Sequence, residues 1–198
     1  MASKAKRLVD VLGAVVGLAI AAPIGFFIAI AIKIEDRGPI LYWQTRCGLY
    51  GKTFRMGKFR SMIVDADRKK HLVSNQAKGF IFKNDRDPRI TRVGRFIRKT
   101  SLDELPQLWN VLQGEMSLVG TRPPTPDEAC QYELHHWQRL RVKPGITGEW
   151  QVNGRSRVED FEDIVKLDLA YQEKWSFWYD LYIIWKTIWV VLRVDGAY

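Results

Sequence analysis

Between Val11 and Ile32 the chain runs for 22 residues without a charged side chain. As one straight helix this run extends about 33 Å, close to the hydrocarbon thickness of a bilayer. It is long for the apolar region of a signal peptide, and no small-x-small cleavage signal leads from it into a mature start. Pro23 stands in the middle, after Ala21 and Ala22 and before Gly25. A proline there removes one helical hydrogen bond and crowds the preceding turn. Lys4, Lys6 and Arg7 precede the run, and Lys33 and Arg37 follow it. Basic residues prefer the cytoplasmic side, so positive charge at both ends fits a segment that enters and leaves by one face. Two arrangements are open: a re-entrant helix–break–helix with its break at Ala22–Pro23, and a kinked span.

Beyond Arg37 the sequence is that of a mixed globular body. Gly38-Pro39 is a turn signal, Ile40 to Gln44 a short aromatic and β-branched strand, and Gly48 to Gly57 a turn with a second strand, together a hairpin. Met62 to Val73 reads as a polar helix. No repeat, low-complexity tract or long linker divides the rest. The expected class is therefore α+β, with a membrane segment over 1–37 and one body over 38–198, carrying interfacial amphipathic helices. The net charge of +9 calls for an anionic partner: nucleic acid, acidic lipid or a phosphorylated substrate. Cys47 and Cys130 lack the spacing of a metal site or a disulfide framework, so reduced thiols are expected.

Arg89, Arg92, Arg95 and Arg98 recur every three residues, a helical spacing that forms either a solvated basic face or a surface for phosphate or lipid. Next, Ser101 with Glu104 three residues later is a capping-box signature. It places Asp103 and Glu104 in a first helical turn, where the dipole favours anions and lowers a carboxylate's pKa. Further on, Pro123-Pro124 holds an extended backbone after Arg122, and Val142 to Arg155 supplies two glycine-rich turns and a short apolar strand. Neither is a Walker loop or a GxGxxG element. Near the end, Trp178, Tyr182, Trp185, Trp189 and Leu192 follow steps of four and three, an aromatic stripe on one helix face. With Lys186 and Arg193 nearby, the stripe fits either a core or a helix in the headgroup region.

Several of these stretches, taken in order, resemble one family. They are Lys58-Phe59-Arg60-Ser61-Met62, Asp87-Pro88-Arg89-Ile90-Thr91, Ser101-Leu102-Asp103-Glu104-Leu105-Pro106-Gln107, Met116-Ser117-Leu118-Val119-Gly120, Lys143-Pro144-Gly145-Ile146-Thr147-Gly148 and Gln151-Val152-Asn153-Gly154-Arg155. The sequence is similar to the bacterial sugar transferases, the monotopic polyprenyl-phosphate phosphoglycosyl transferases, from Lys6 to about Val194. It departs from them at Ala22, where many carry Ser before the proline, and at Thr121, where a Pro-Arg-Pro element usually begins.

The resemblance implies a minimal catalytic unit on the cytoplasmic face of the bacterial inner membrane. Its implied reaction transfers a sugar 1-phosphate from a UDP-sugar to polyprenyl (undecaprenyl) phosphate, the first membrane step of glycan assembly. Asp103 is the implied nucleophile, forming a covalent sugar-phosphate in a ping-pong sequence, and Glu104 the implied ligand of Mg²⁺. Lys58, Arg60, Arg122 and Arg155 are the implied phosphate or nucleotide binders. Asp168 and Asp180 either hold those cations or form structural ion pairs. The implied partners are the UDP-sugar, polyprenyl phosphate and membrane lipid, with no nucleic acid, and homo-oligomerisation stays open. The rival reading is a membrane-tethered basic binding module without catalysis. It accounts for the charge and the arginine run but not for the acidic pair inside them.

Overall fold

The computed structural model describes residues 4–193, apart from residues 81, 83, 85, 155–157 and 159. A single helix, α1 (Lys4–Asp36), opens the chain. Two strands follow, β1 (Leu41–Cys47) and β2 (Thr53–Phe59), as an antiparallel hairpin in the register Leu41↔Phe59 to Cys47↔Thr53. Its turn passes through Tyr50 and Gly51, both at positive φ. Then come α2 (Arg92–Lys99), α3 (Gln107–Gln113), β3 (Ser117–Val119), α4 (Pro126–Ala129), β4 (Gly145–Thr147), α5 (Glu149–Asn153), α6 (Phe161–Lys174) and α7 (Phe177–Leu192). The mixture of helix and strand is the expected α+β class.

β3 and β4 form a second, parallel pair, Ser117↔Gly145 and Val119↔Thr147. Their ends approach too closely for side chains. A Cβ on Gly120 would lie 2.3 Å from the Lys143 carbonyl oxygen, and one on Gly145 would lie 2.0 Å from the Gly120 nitrogen. The glycines of these two stretches thus bring two backbone segments into contact beneath the loop that carries Arg122.

The main core lies between α1, the hairpin and α3, where Ala14, Ala21, Phe54, Met56, Leu108, Val111 and Met116 meet. A second cluster joins α6 and α7 to β3 through Tyr171, Ile183, Val119 and Val152. A third, of Ile28, Ile32 and Ile97, packs the far end of α1 on α2.

α1 therefore does not stand apart from the body. One face, with Asp10, Ala14, Ala21, Ile28 and Ile32, is buried along its length. The opposite face exposes Val15, Val16, Ile20, Phe26, Phe27 and Ile34. Polar bonds fasten both ends. Near the start, Lys6 pairs with Asp180 at 2.6 Å, and Asp10 accepts from the Ser117 hydroxyl and the Leu118 amide, each at 2.9 Å. Arg7 donates to the carbonyls of Val111 and Leu112 at 2.6 and 2.7 Å, placing a cation on the negative end of α3. At the other end, the Glu35 carboxylate accepts from the Arg92 and Val93 amides, capping α2 beside its N-cap Thr91. Asp36 pairs with Arg60.

Three local expectations need correction. Ala22–Pro23 lies inside a continuous helix, not at a break between two. A proline removes only its own hydrogen bond, and packing on both sides of it keeps the turns together. Ser101 adopts the left-handed φ of 58° and makes no capping bond, so the predicted capping box is absent. A true capping box forms instead at Thr125 and Glu128, at the start of α4. The polar helix expected over Met62 to Val73 is a 3-10 helix over Ala66–Leu72.

Candidate active site

Strand alternation decides which hairpin residues turn inward. On β2, Phe54, Met56 and Lys58 share one face, and across from the first two stand Arg46 and Gln44 of β1. Phe54 and Met56 face the core with α3, so Lys58 faces the start of α3. Asn110 of α3 fixes this register. It accepts from the Gly57 amide at 3.2 Å and donates to the Arg55 carbonyl at 2.8 Å and to Glu115 at 2.6 Å.

Ahead of α3, a three-residue 3-10 helix (Leu102–Glu104) carries the acidic pair. Glu104 is half-buried and bonds Lys58 Nζ through Oε1 at 2.9 Å. Asp103 is only 8% exposed. Burial pushes its carboxyl up to about 6, and the nearby charge of Glu104 adds to this, while Lys58 and Arg98 pull it down. The expectation of a lowered pKa is thus reversed. A three-residue helix supplies almost no dipole, and desolvation dominates. Lys58 and Arg98 thus offset part of the cost of burying its charge.

Between these elements lies a small open cleft, lined among others by Arg46, Lys58, Glu104, Gln107, Arg122 and Gln151. Asp103, adjoining Glu104, is not itself part of this lining. The guanidinium of Arg122 stands 5.9 Å from the Trp150 ring centroid, a cation–π contact that orients it at the rim. Arg46 is 8% exposed and donates to two neutral acceptors, Gln44 Oε1 (2.6 and 3.0 Å) and the Pro123 carbonyl (2.9 Å). Glu128 is 3.8 Å away. Burial, and then the like charge of Arg122, bring its pKa down to about 10. Three cations and one carboxylate line this cleft, which suits an anion with more than one charge.

The predicted site residues divide accordingly. Lys58, Glu104 and Arg122 meet in the cleft, with Asp103 beside it. Arg60 stands elsewhere, its guanidinium engaged by Asp36 and by the Pro39 carbonyl, so it anchors α1 to the hairpin. Asp168 is 1% exposed and pairs with the equally buried Arg139 at 2.7 Å. Arg139 in turn donates to the Arg122 carbonyl at 3.4 Å and accepts from the Thr121 hydroxyl at 3.0 Å. Asp168 thus supports the Arg122 loop from behind. Asp180 accepts from Lys6, Tyr171 and Trp175, joining α7 to α1 and α6 away from the cleft. Arg155 lies outside the described residues. Of the arginine run, Arg92, Arg95 and Arg98 are on α2, but Arg89 is buried in a 2.6 Å pair with Asp87.

Arg46, Gln107 and Gln151 were not singled out by their sequence context. Arg46 lies on β1 beyond Gln44, where the expected strand ended, and its inward-facing cation is visible only in the fold. Gln151 stands on α5, past the end of β4 at Thr147, and carries no charge to mark it in the sequence.

Glu104 offers a hard oxygen ligand of the kind Mg²⁺ takes from one or two carboxylates and a substrate phosphate. Elsewhere, His135, His136 and Glu162 come within 4.8 Å of one another. There, His136 Nδ1 accepts the Glu133 amide at 2.9 Å, so Nε2 carries the proton that it donates to Glu162 at 2.7 Å. That tautomer serves a hydrogen-bond chain and withholds the lone pair a metal would need.

The chain is 52% identical over 195 residues to the galactosyl transferase CpsE of Streptococcus agalactiae serotype III (strain NEM316), an alignment covering 98% of this chain and 43% of that protein. It is 46% identical over 201 residues to the undecaprenyl-phosphate galactose phosphotransferase of Salmonella typhimurium, with 98% and 41% covered. Against the exopolysaccharide production protein ExoY of Sinorhizobium fredii the identity is 41% over 199 residues, with 98% and 88% covered. The chain therefore spans less than half the length of the first two relatives. The family model described as bacterial sugar transferase matches residues 1–194, from ahead of α1 to just past α7, and the chain belongs to that family.

Proposed function

We propose that the chain transfers a sugar 1-phosphate from a UDP-sugar to polyprenyl phosphate. The observation that carries this reading is the convergence of Arg46, Lys58 and Arg122 on one cleft beside the Asp103–Glu104 pair. Relatives named for galactose make UDP-galactose the first donor to try. In the first step an Asp103 carboxylate oxygen attacks the β-phosphorus. The bond from that phosphorus to the bridging oxygen breaks, and UMP departs with the electron pair. The sugar phosphate is then esterified to Asp103. In the second step a phosphate oxygen of the lipid attacks the same phosphorus and Asp103 leaves, giving polyprenyl-diphosphate-sugar.

Arg46, Lys58 and Arg122 bind the diphosphate and offset the charge that gathers on its oxygens and on the leaving UMP. Glu104 would hold Mg²⁺, which would add positive charge to that of the three cations. Lys58 keeps the Glu104 carboxylate in place. Arg139 and Asp168 act at one remove, through the Arg122 loop.

A covalent route has a direct test. With UDP-galactose and Mg²⁺ but no lipid acceptor, radiolabelled UMP is expected to exchange into UDP-galactose. Product formation with the lipid but no exchange without it would exclude the covalent route.

We also propose that α1 lies in the membrane surface with both of its ends on one side. Its two ends are fastened to the same polar body by Lys6, Arg7 and Asp10 and by Glu35 and Asp36, so neither can cross a bilayer alone. The outward apolar face of α1 and the exposed Trp178, Tyr182, Trp185 and Trp189 of α7 are the surfaces offered to lipid. The body then lies on the cytoplasmic face of the inner membrane, where a soluble nucleotide and a lipid phosphate are both in reach. In a Cys130→Ser background, Lys4→Cys and Arg37→Cys are expected to react with an impermeant maleimide only when the cytoplasmic face is open. Labelling from opposite faces would establish a span.

A further inference from the structure

Two orphaned polar atoms belong to residues that line the cleft. Gln107 is 3% exposed, and its buried Nε2 finds no hydrogen-bond partner among the described residues. Gln151 Oε1 is likewise buried without a partner among them. Trp150 Nε1, next in sequence and under the Arg122 guanidinium, is in the same condition. The fourth such atom among the described residues is Asp168 Oδ1, whose carboxylate pairs through Oδ2 with Arg139 behind the same loop.

A buried polar atom left unpaired costs stability, and native proteins hold very few. Two of the four belong to residues that line one cleft, as groups kept for a ligand would. One orphan is a donor and the other an acceptor. A carboxamide turned over presents its other atom, so the pair offers both kinds in either orientation. Neither residue carries charge, unlike the Arg46, Lys58 and Arg122 side chains sharing the cleft. The two glutamines therefore suit a neutral group able to donate and accept, next to a diphosphate.

We propose that Gln107 and Gln151 form a donor–acceptor subsite for the neutral hydrogen-bonding part of the nucleotide sugar. This rests on the transferase reading above. Two parts of the donor have the chemistry required: the sugar's hydroxyls, and the imide edge of uracil. Gln107 lies one turn beyond Glu104 at the head of α3 and hence close to the reacting phosphorus.

The test uses the full chain in nanodiscs, with Gln107→Met and Gln151→Met, which preserve volume and remove the polar atoms. UMP release from UDP-galactose, product inhibition by UMP and thermal unfolding are measured for each. The kcat/KM is expected to fall roughly 10- to 100-fold, the scale for unmaking a buried hydrogen bond to substrate. The melting temperature of the free protein should stay level or rise, because each variant deletes an unpaired polar atom. If the subsite takes uracil, the inhibition constant of UMP rises with KM. If it takes the sugar, that constant stays put and the preference for UDP-galactose over UDP-glucose shifts. Unchanged kcat/KM in both variants overturns the subsite, as does a fall in melting temperature that accounts for the lost activity. Absence of UMP release from the wild-type chain overturns the transferase reading as well, so the two failures are told apart.

Discussion

Asp103→Asn is expected to abolish UMP release and UMP exchange while making the protein harder to unfold. An amide cannot attack phosphorus, and losing a covalent nucleophile is felt at about three orders of magnitude or more. The stability gain follows from burial. In the unfolded chain Asp103 has the ordinary value of 3.8, but the fold raises it to about 6. A raised carboxyl pKa means that the folded state holds the proton more tightly than the unfolded one. Ionising Asp103 therefore works against the fold, with the cost absent below about pH 4 and fully present above about pH 6. At pH 8, in metal-free buffer, the variant should be more stable than wild type by about 1–3 kcal/mol, several degrees in melting temperature. The gap should close as pH falls toward 4. Equal melting temperatures at pH 8 would show that Asp103 is not desolvated as described.

The second large effect lies away from the cleft. Asp168→Ala strands the guanidinium of Arg139 in the interior with only a phenol and a carbonyl near its terminal nitrogens. Breaking a buried pair from one side costs about 3–5 kcal/mol, most of it for the uncompensated charge left behind. The urea midpoint should drop accordingly, and the variant should accumulate poorly at 37 °C. Asp168→Ala with Arg139→Met should recover much of that loss, because nothing charged then remains buried. If the single variant matches wild type in urea, the pair has no structural weight.

The acidic pair, Lys58 and Arg122 were legible because each stands in a short stretch of distinctive residues, and local order survives folding. The roles of Arg60 and Arg139 depend on partners far along the chain. Asp36 and Arg60 are 24 residues apart, and Arg139 and Asp168 are 29 apart, so no window reveals that both arginines are already engaged. The hairpin was legible from alternation and turn residues, but the expected strand ended at Gln44 and β1 continues through Arg46 to Cys47. Ser101 and Glu104 have the spacing of a capping box, yet the backbone at Ser101 turns left-handed and gives that role to Thr125 and Glu128. The local cost of Pro23 on its own points to a break. That cost is modest beside the packing of Ala14, Ala21, Ile28 and Ile32 along the same helix. The pKa of Asp103 depended on depth, which a sequence does not display.

The tie between Lys6 and Asp180 spans 174 positions, and this sets an order of events during synthesis. When α1 leaves the ribosome, the carboxylate that holds its first turn has not yet been translated. Lys6 stays hydrated while the intervening polypeptide emerges. The first helix is therefore locked against the body only after α7 has been made.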